Sequence, residues 1–353
     1  QLLGTGFLAL GALELGEGDQ EQFRMDVVDD QINATTRSFL GLTVGCARCH
    51  NHKFDPIPQT DYYAVAGVFR STDILSGLVP RARDGRSYYK PSAFLKLDDT
   101  TGGLPDDVIA KYAELQQKHD EAMDGFDQAR RDRRRGNEYI KGIQQARQKV
   151  YLVQDQLGRL PLPENIAMGV KDAPKIVECK VALSGDVHKL GPKVDRGLVQ
   201  VLTKPDAKIT MPTKESGRLE LARWIASQDN PLTARVMANR VWEHLFGRGI
   251  VPTVDNFGKM GEKPTHPELL DHLAVHFMKN GWSVKKLIRE VMLSDAYQRS
   301  SAHLERSFLA DPQNELFWRQ NRQRLEVEAI RDTLLQVSGK LELGAPAQSP
   351  IAK

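Results

Sequence analysis

The sequence predicts a mainly α-helical protein with one small β element near 174–203 and a charged helical hairpin inserted between two helical regions. Three observations carry that prediction. Apolar residues recur at helical spacing through 1–75 and again through 216–340. A polar, Gln/Arg/Lys-rich stretch over 105–157 is divided by Gly136-Asn137. One run, IVECKVAL, alternates apolar and polar or small residues with the period of a strand.

The elements follow in order. Within residues 1–104, the first expected domain, Met25, Val28, Ile32, Thr36 and Leu40 share a helical stripe, and the GLTVG segment ends that helix. QTDYYAVAGVFRS predicts a second helix with Tyr62, Ala66 and Phe69 on one side. Residues 76–104 are rich in Gly, Pro, Arg and Tyr with little periodicity, and read as a long surface excursion. The hairpin over 105–157 has sparse apolar positions at Ile109, Tyr112, Met123 and Phe126. Its cluster Arg130, Arg131, Arg133, Arg134 and Arg135 reads as a solvated helix face, with anion binding as the alternative.

Residues 158–215 form the expected β-containing segment. Val177, Cys179, Val181 and Leu183 line one strand face, SerGlyAsp supplies a turn, and GLVQVL is the candidate second strand. Cys179 on that face reads as a small buried hydrophobe. Residues 216–353 form the expected helical C-terminal domain. Asn230-Pro231 opens one helix, with Leu232, Val236, Trp242, Leu245 and Phe246 on a face and Gly247 as terminator. Thr265 and Pro267 open a second, which Gly281 ends, and Ser283 caps a third that carries Val284, Leu287, Ile288, Val291 and Met292. A last helix over 324–338 turns Leu325, Ile330, Leu334 and Val337 to one side.

The chain's 353 residues leave room for two or three domains of about 100–200 residues each. Its 49 Lys and Arg stand against 46 Asp and Glu, a net charge of +3 that argues against nucleic acid or an anionic membrane as partner. No stretch approaches the roughly 18 consecutive apolar residues that a membrane span needs. The opening QLLGTGFLALGALELG lacks a basic start and turns acidic at Glu14, so it does not read as a signal peptide. Starting at Gln1 and stopping in APAQSPIAK, the chain reads as a processed product or a piece of something longer. Three cysteines, two of them within four residues, are neither a disulfide framework nor a paired zinc ribbon.

The chemistry concentrates in GCARCHNHKF, which contains Cys-x-x-Cys-His. Thiols three residues apart lie on one side of a helical turn, so Cys46 and Cys49 can both add to the vinyl groups of one haem. The next residue, His50, then supplies the proximal nitrogen to iron. Two other readings compete. A zinc site built from Cys46, Cys49, His50 and His52 lacks a second Cys pair. A thioredoxin-like redox pair would follow a strand and open a helix, a context that this region lacks. Beside the motif, His52 is a candidate for a propionate hydrogen bond, for ligation of a neighbouring haem, or for plain surface packing. Arg48 and Lys53 are candidate propionate partners or solvated cations. The distal side offers Met168, His188, His244 and His266 by residue type. His244, in NRVWEHLFG, lies on a helix that otherwise reads as core.

Two long segments carry a family resemblance. FLGLTVGCARCHNHKFDPIPQTDYYAVAGVFRST resembles the cysteine-containing domain of the planctomycete-type cytochrome C family. NPLTARVMANRVWEHLFGRGIVPTVDNFGKMGEKPTHPELLDHLAVHFMKNGWSVKKLIREVMLSDAYQRSS resembles the C-terminal domain that usually follows it, and RGLVQVL and RQRLEVEAIRDTLLQVSG fit the same pattern. The resemblance implies a large exported protein, periplasmic or otherwise extracytoplasmic, often with a further cytochrome-like domain upstream. It implies covalent haem c at Cys46, Cys49 and His50, with His52, Asp55 and Pro56 as the motif's extension. Where many relatives read CHDHKFDP, this chain has Asn51 in place of the acid.

The expectation is thus an electron-transfer module with one haem, served by a redox partner protein or a further haem domain. A haem enzyme of peroxidase-like or substrate-oxidising type with an open distal position is the second expectation. An extracytoplasmic binding or structural protein with a non-haem Cys/His site is the third. No Ser-His-Asp order, phosphate loop or facing pair of catalytic carboxylates stands out.

Overall fold

The computed structural model describes residues 2–11, 19–80, 87–98, 100, 103–131, 137–207 and 209–344. Glu14, Arg133, Arg134, Arg135, Gly136 and the tail from 345 lie outside them. Helices dominate, as expected. The chain divides into an N-terminal unit, Gln1–Val236 with Asp255–Glu262, and a C-terminal unit, Met237–Val254 with Lys263–Lys353.

In the N-terminal unit, α1 (Gln20–Leu40) starts where Asp19 Oδ1 accepts the Glu21 and Gln22 amides at 3.1 Å each, satisfying donors that a helix start leaves open. Gly41 ends it in the left-handed conformation with φ 60°. The expected stripe of Met25, Val28, Ile32, Thr36 and Leu40 is buried. α2 (Gln59–Arg70) is buried on all sides from Asp61 to Phe69 rather than along one face, which makes it the centre of this core. Its small residues permit that: a Cβ at Gly67 would sit 2.6 Å from Cγ of Arg196.

Two strands follow, β1 (Thr72–Pro80) and β2 (Ser87–Lys96), so the expected surface excursion at 76–104 is corrected to an antiparallel hairpin. Periodicity misses it because a bulge at Gly77 (φ 73°) breaks the alternation, and a Cβ there would meet the Phe94 ring. The strands' outer partners also lie far away in sequence. α3 (Asp106–Arg131) and α4 (Asn137–Leu157) form the expected hairpin, with its own small core of Leu115 and Leu157 packed by Tyr112, Val153 and Leu160. β3 (Ile166–Ala167) then pairs with β2, and β4 (Gly169–Asp172) with β1, giving the order β3-β2-β1-β4.

The β element expected near 174–203 is a separate two-stranded sheet of β5 (Cys179–Ala182) and β6 (Leu190–Val194). GLVQVL is not its second strand. Leu198 and Val199 are both buried, and Gln200–Leu202 turns as a short 3₁₀ segment whose Gln200 amide donates to Asp61 Oδ2 at 2.8 Å. The strand that does pair, LGPKV, carries a Gly and a Pro, which an edge strand tolerates and a pattern search rejects. α5 (Arg218–Ile225) adds Leu221, Trp224 and Ile225 to the core.

α6 (Thr233–Phe246) begins in the N-terminal unit and ends in the other. Asn230 Oδ1 caps it by accepting the Leu232 and Thr233 amides, and Gly247 (φ 76°) closes it, as expected. Beyond it, Asn239 is fully buried and holds the Val251 amide and carbonyl at 2.8 and 2.9 Å. α7 (Pro267–Lys279) and α8 (Val284–Met292) follow their expected starts, and the Ser283 hydroxyl accepts the Lys286 amide. Short α9 (Glu305–Ala310) precedes α10 (Val327–Val337). The apolar face expected of the last helix is not buried: Leu334 is 67 % and Val337 84 % exposed, because no described element packs on it. No described helix is long and apolar enough to cross a membrane.

Candidate functional site

The Cys-x-x-Cys-His loop is built on the end of α1. After Gly41, residues Val44–Arg48 form a 3₁₀ turn in which Val44 and Ala47 are fully buried. Anchoring those two positions turns Cys46 and Cys49 outward, and both thiols are free and exposed. A Cβ at Gly45 would meet the Asn33 side-chain amide, so glycine lets the turn lie this close to α1 without displacing Asn33.

His50 is exposed, and its Nδ1 lies 2.6 Å from the Asn51 carbonyl. A carbonyl only accepts, so Nδ1 carries the proton and Nε2 of the neutral ring presents a lone pair. Among the described residues Nε2 has no partner. Asn51 is itself occupied: its Oδ1 accepts the Gln59 amide at 2.8 Å, capping α2. Only a side-chain carbonyl oxygen is needed for that, and the Asn51 amide supplies it.

His52 points inward, its side chain 6 % exposed. Nδ1 accepts the Asp55 and Phe54 amides at 2.8 and 3.2 Å, which places the proton on Nε2, 3.1 Å from Thr43 Oγ1. His52 is thereby the pin of the 50–58 loop. Asp55 extends the brace, accepting the Lys259 amide at 2.6 Å.

Arg48 also faces inward. Its guanidinium lies 2.8 Å from Asp26 and 4.0 Å from Asp29, and its carbonyl accepts from Tyr63 Oη at 3.0 Å and Gln59 Nε2 at 2.9 Å. Tyr62 Oη donates to Asp29 at 2.8 Å. Burial holds the Asp29 carboxyl above the usual carboxylate range, and burial beside Asp29 pushes the Tyr62 phenol up. Asp26 and Asp29, three apart and so on one helix face, were the sequence signal for this cation clamp. Lys53 remains at the surface, its Nζ 5.1 Å from the Phe54 ring centre.

Cys49 has a close neighbour from the β5–β6 loop. A Cβ at Gly185 (φ 81°) would fall on its Sγ. That loop, with Ser184 also at positive φ (55°), is shaped to pass the thiol.

His188 is exposed on the N-terminal unit and pairs with Asp19 at 2.6 Å; the shared hydrogen bond raises the imidazole's pKa and lowers the carboxyl's. Met168 is half-buried beside Gly6. His244 and His266 belong to the C-terminal unit. His244 is 83 % exposed, contrary to the core surroundings expected of its helix, since it falls on the face opposite Trp242 and Phe246. His266 Nδ1 is 2.9 Å from Thr265 Oγ1.

Cys179 is buried as expected, 1 % exposed, and burial pushes its thiol up to about 11. Iodoacetamide at pH 8 is therefore expected to modify Cys46 and Cys49 in haem-free protein and to reach Cys179 only after denaturation. Peptide mapping reads the result, and comparable labelling of Cys179 in the folded state would refute the burial argument.

Comparison with known proteins adds two matches. Residues 217–353 match the family model PSD1, a protein of unknown function (DUF1553), and residues 1–74 match PSCyt2, a protein of unknown function (DUF1549). No curated protein and no solved structure matches. The chain is thus similar at its two ends to two planctomycete-type families of unknown function, and the Cys46–His52 loop falls within the PSCyt2 match.

Proposed function

We propose that Cys46 and Cys49 carry one covalently attached haem c with His50 Nε2 as the iron ligand, and that the protein is an electron-transfer module. One observation carries the reading: both thiols and an unprotonated imidazole nitrogen face outward from a single buried-anchor turn. The Nδ1–H bond to the Asn51 carbonyl orients the ring, as outer partners do for metal-bound histidines. Haem suits the spread of the donors better than a chelated ion does. Tetrahedral zinc needs its ligand atoms within about 4 Å of one another given ~2.3 Å bonds. Cys46, Cys49 and His50 are not among the groups whose ligand atoms all lie within 4.8 Å. Haem instead presents two separate vinyl carbons.

When bound, the haem would supply a ferrous/ferric couple. The chain's own residues do the holding. Val44 and Ala47 fix the turn, Arg48 clamps it to α1 through Asp26, His52 pins the loop behind it, and exposed Lys53 is available to a propionate. A redox partner protein or a further haem domain would exchange the electron, and the reading goes with an extracytoplasmic location.

The test is a pyridine haemochrome spectrum of the full chain, exported from a host with c-haem attachment machinery. A c-type spectrum is expected, and Cys46→Ala/Cys49→Ala should abolish it. Absence of haem in correctly exported protein would overturn the reading. Cyanide or carbon monoxide binding at the iron would move the assignment from electron transfer to a haem enzyme.

A further inference from the structure

A second cluster of donors lies in the C-terminal unit and plays no part in the haem reading. His272 and His276 are four residues apart on α7, so they occupy one face a turn apart. Their rings lie nearly parallel, 27° between planes and 6.0 Å between centres. Glu290 reaches the same place from α8, with Oε2 2.6 Å from His276 Nε2. Ligand atoms of the three residues all fall within 4.8 Å of one another, and theirs is the one such group among the described residues.

The His276–Glu290 contact is not an ordinary hydrogen bond. Glu290 Oε2 is buried and lacks an aligned donor, so the short approach to His276 Nε2 is not along a ring N–H. A buried carboxylate oxygen without a donor is unfavourable, because nothing replaces the hydrogen bonds water gave it. A cation between the lone pairs of that oxygen and the two imidazoles would satisfy all three at once. The frame is firm, since Leu273 and Phe277 on α7 and Leu287 and Val291 on α8 are buried between the helices.

We propose that His272, His276 and Glu290 bind a divalent transition-metal ion of the zinc class. Two imidazoles and one carboxylate disfavour calcium and magnesium, which prefer all-oxygen shells. Three protein ligands leave a fourth position for water or another ligand, and His272 is exposed, so solvent reaches the cluster.

The experiment is calorimetric titration of the full chain with Zn²⁺, with Cys46→Ala/Cys49→Ala to remove competing thiolates, and a parallel Co²⁺ titration followed by visible absorption. One equivalent should bind with a tetrahedral cobalt spectrum. His272→Ala should weaken binding more than about 100-fold, beyond the loss caused by an outer hydrogen-bond partner. Because His272 is exposed, that variant should fold as the parent does, with circular dichroism as the check. Glu290→Gln should also weaken binding while keeping the carboxylate's shape. Zinc affinity unchanged in His272→Ala would overturn the site and leave an ion pair between His276 and Glu290. So would failure of the parent to bind zinc below millimolar concentration.

Discussion

Arg196→Ala is expected to destabilise the N-terminal unit by about 3–5 kcal/mol, the cost of breaking one partner out of a buried, hydrogen-bonded charge pair. Arg196 is 8 % exposed and its side chain makes three bonds. Nε donates to Glu178 at 3.0 Å, Nη1 to the Glu215 carbonyl at 2.6 Å, and Nη2 to the Pro212 carbonyl at 2.8 Å. Its backbone amide binds the same Glu178 carboxylate. Truncation leaves Glu178 Oε1 and two carbonyls without their side-chain donors, the backbone amide alone still holding Oε2, and opens a gap where the stem lies against Gly67. Arg196→Lys should recover little, because a single ammonium cannot replace a planar fork aimed at three acceptors. Urea denaturation gives the numbers, and a loss under 1 kcal/mol for Arg196→Ala would contradict this account.

The second large effect belongs to the C-terminal unit. Phe246 is fully buried, stacked on Trp242 at 4.1 Å and edge-on to Phe317 and Tyr297 at 5.4 and 5.6 Å. Phe246→Ala removes the ring around which these three pack. Large-to-small changes of this kind cost about 3–5 kcal/mol, because a rigid aromatic shell closes poorly over the cavity. Phe246→Leu should cost less than half of that, since it keeps most of the volume. Denaturation followed by near-ultraviolet circular dichroism reads this aromatic cluster directly. Equal losses for the two variants would mean that something other than volume holds it.

The candidate site divides into what local spacing reveals and what it hides. Cys-x-x-Cys-His announced two thiols and an imidazole on one turn, and that turn presents all three. The intervening residues were harder to place. Arg48 and His52 could have been surface groups, yet both face inward, because Asp26 and Asp29 wait on α1 and the Phe54 and Asp55 amides need an acceptor. The His272/His276 spacing was present on a helix whose limits were expected, but its meaning depends on Glu290 in the next helix.

Periodicity and caps by themselves determined the helices: α1 with its buried stripe, the α3–α4 hairpin, α6 from its Asn230 cap to Gly247, and α7 and α8 with their Pro and Ser starts. These are settled within a few turns of chain, where each hydrogen bond spans four residues and each packed face repeats locally. Only the tertiary structure decided the rest. Besides pairing with each other, β1 and β2 pair with β4 and β3, 70 residues or more away in every pair. α2 is buried on every side because α1 and β5 surround it, and the apolar face of α10 stays exposed because no described element covers it. A strand's partner, a helix's second face and a buried charge's counter-ion are non-local facts, set by which distant surfaces meet and not by any pattern within the segment itself.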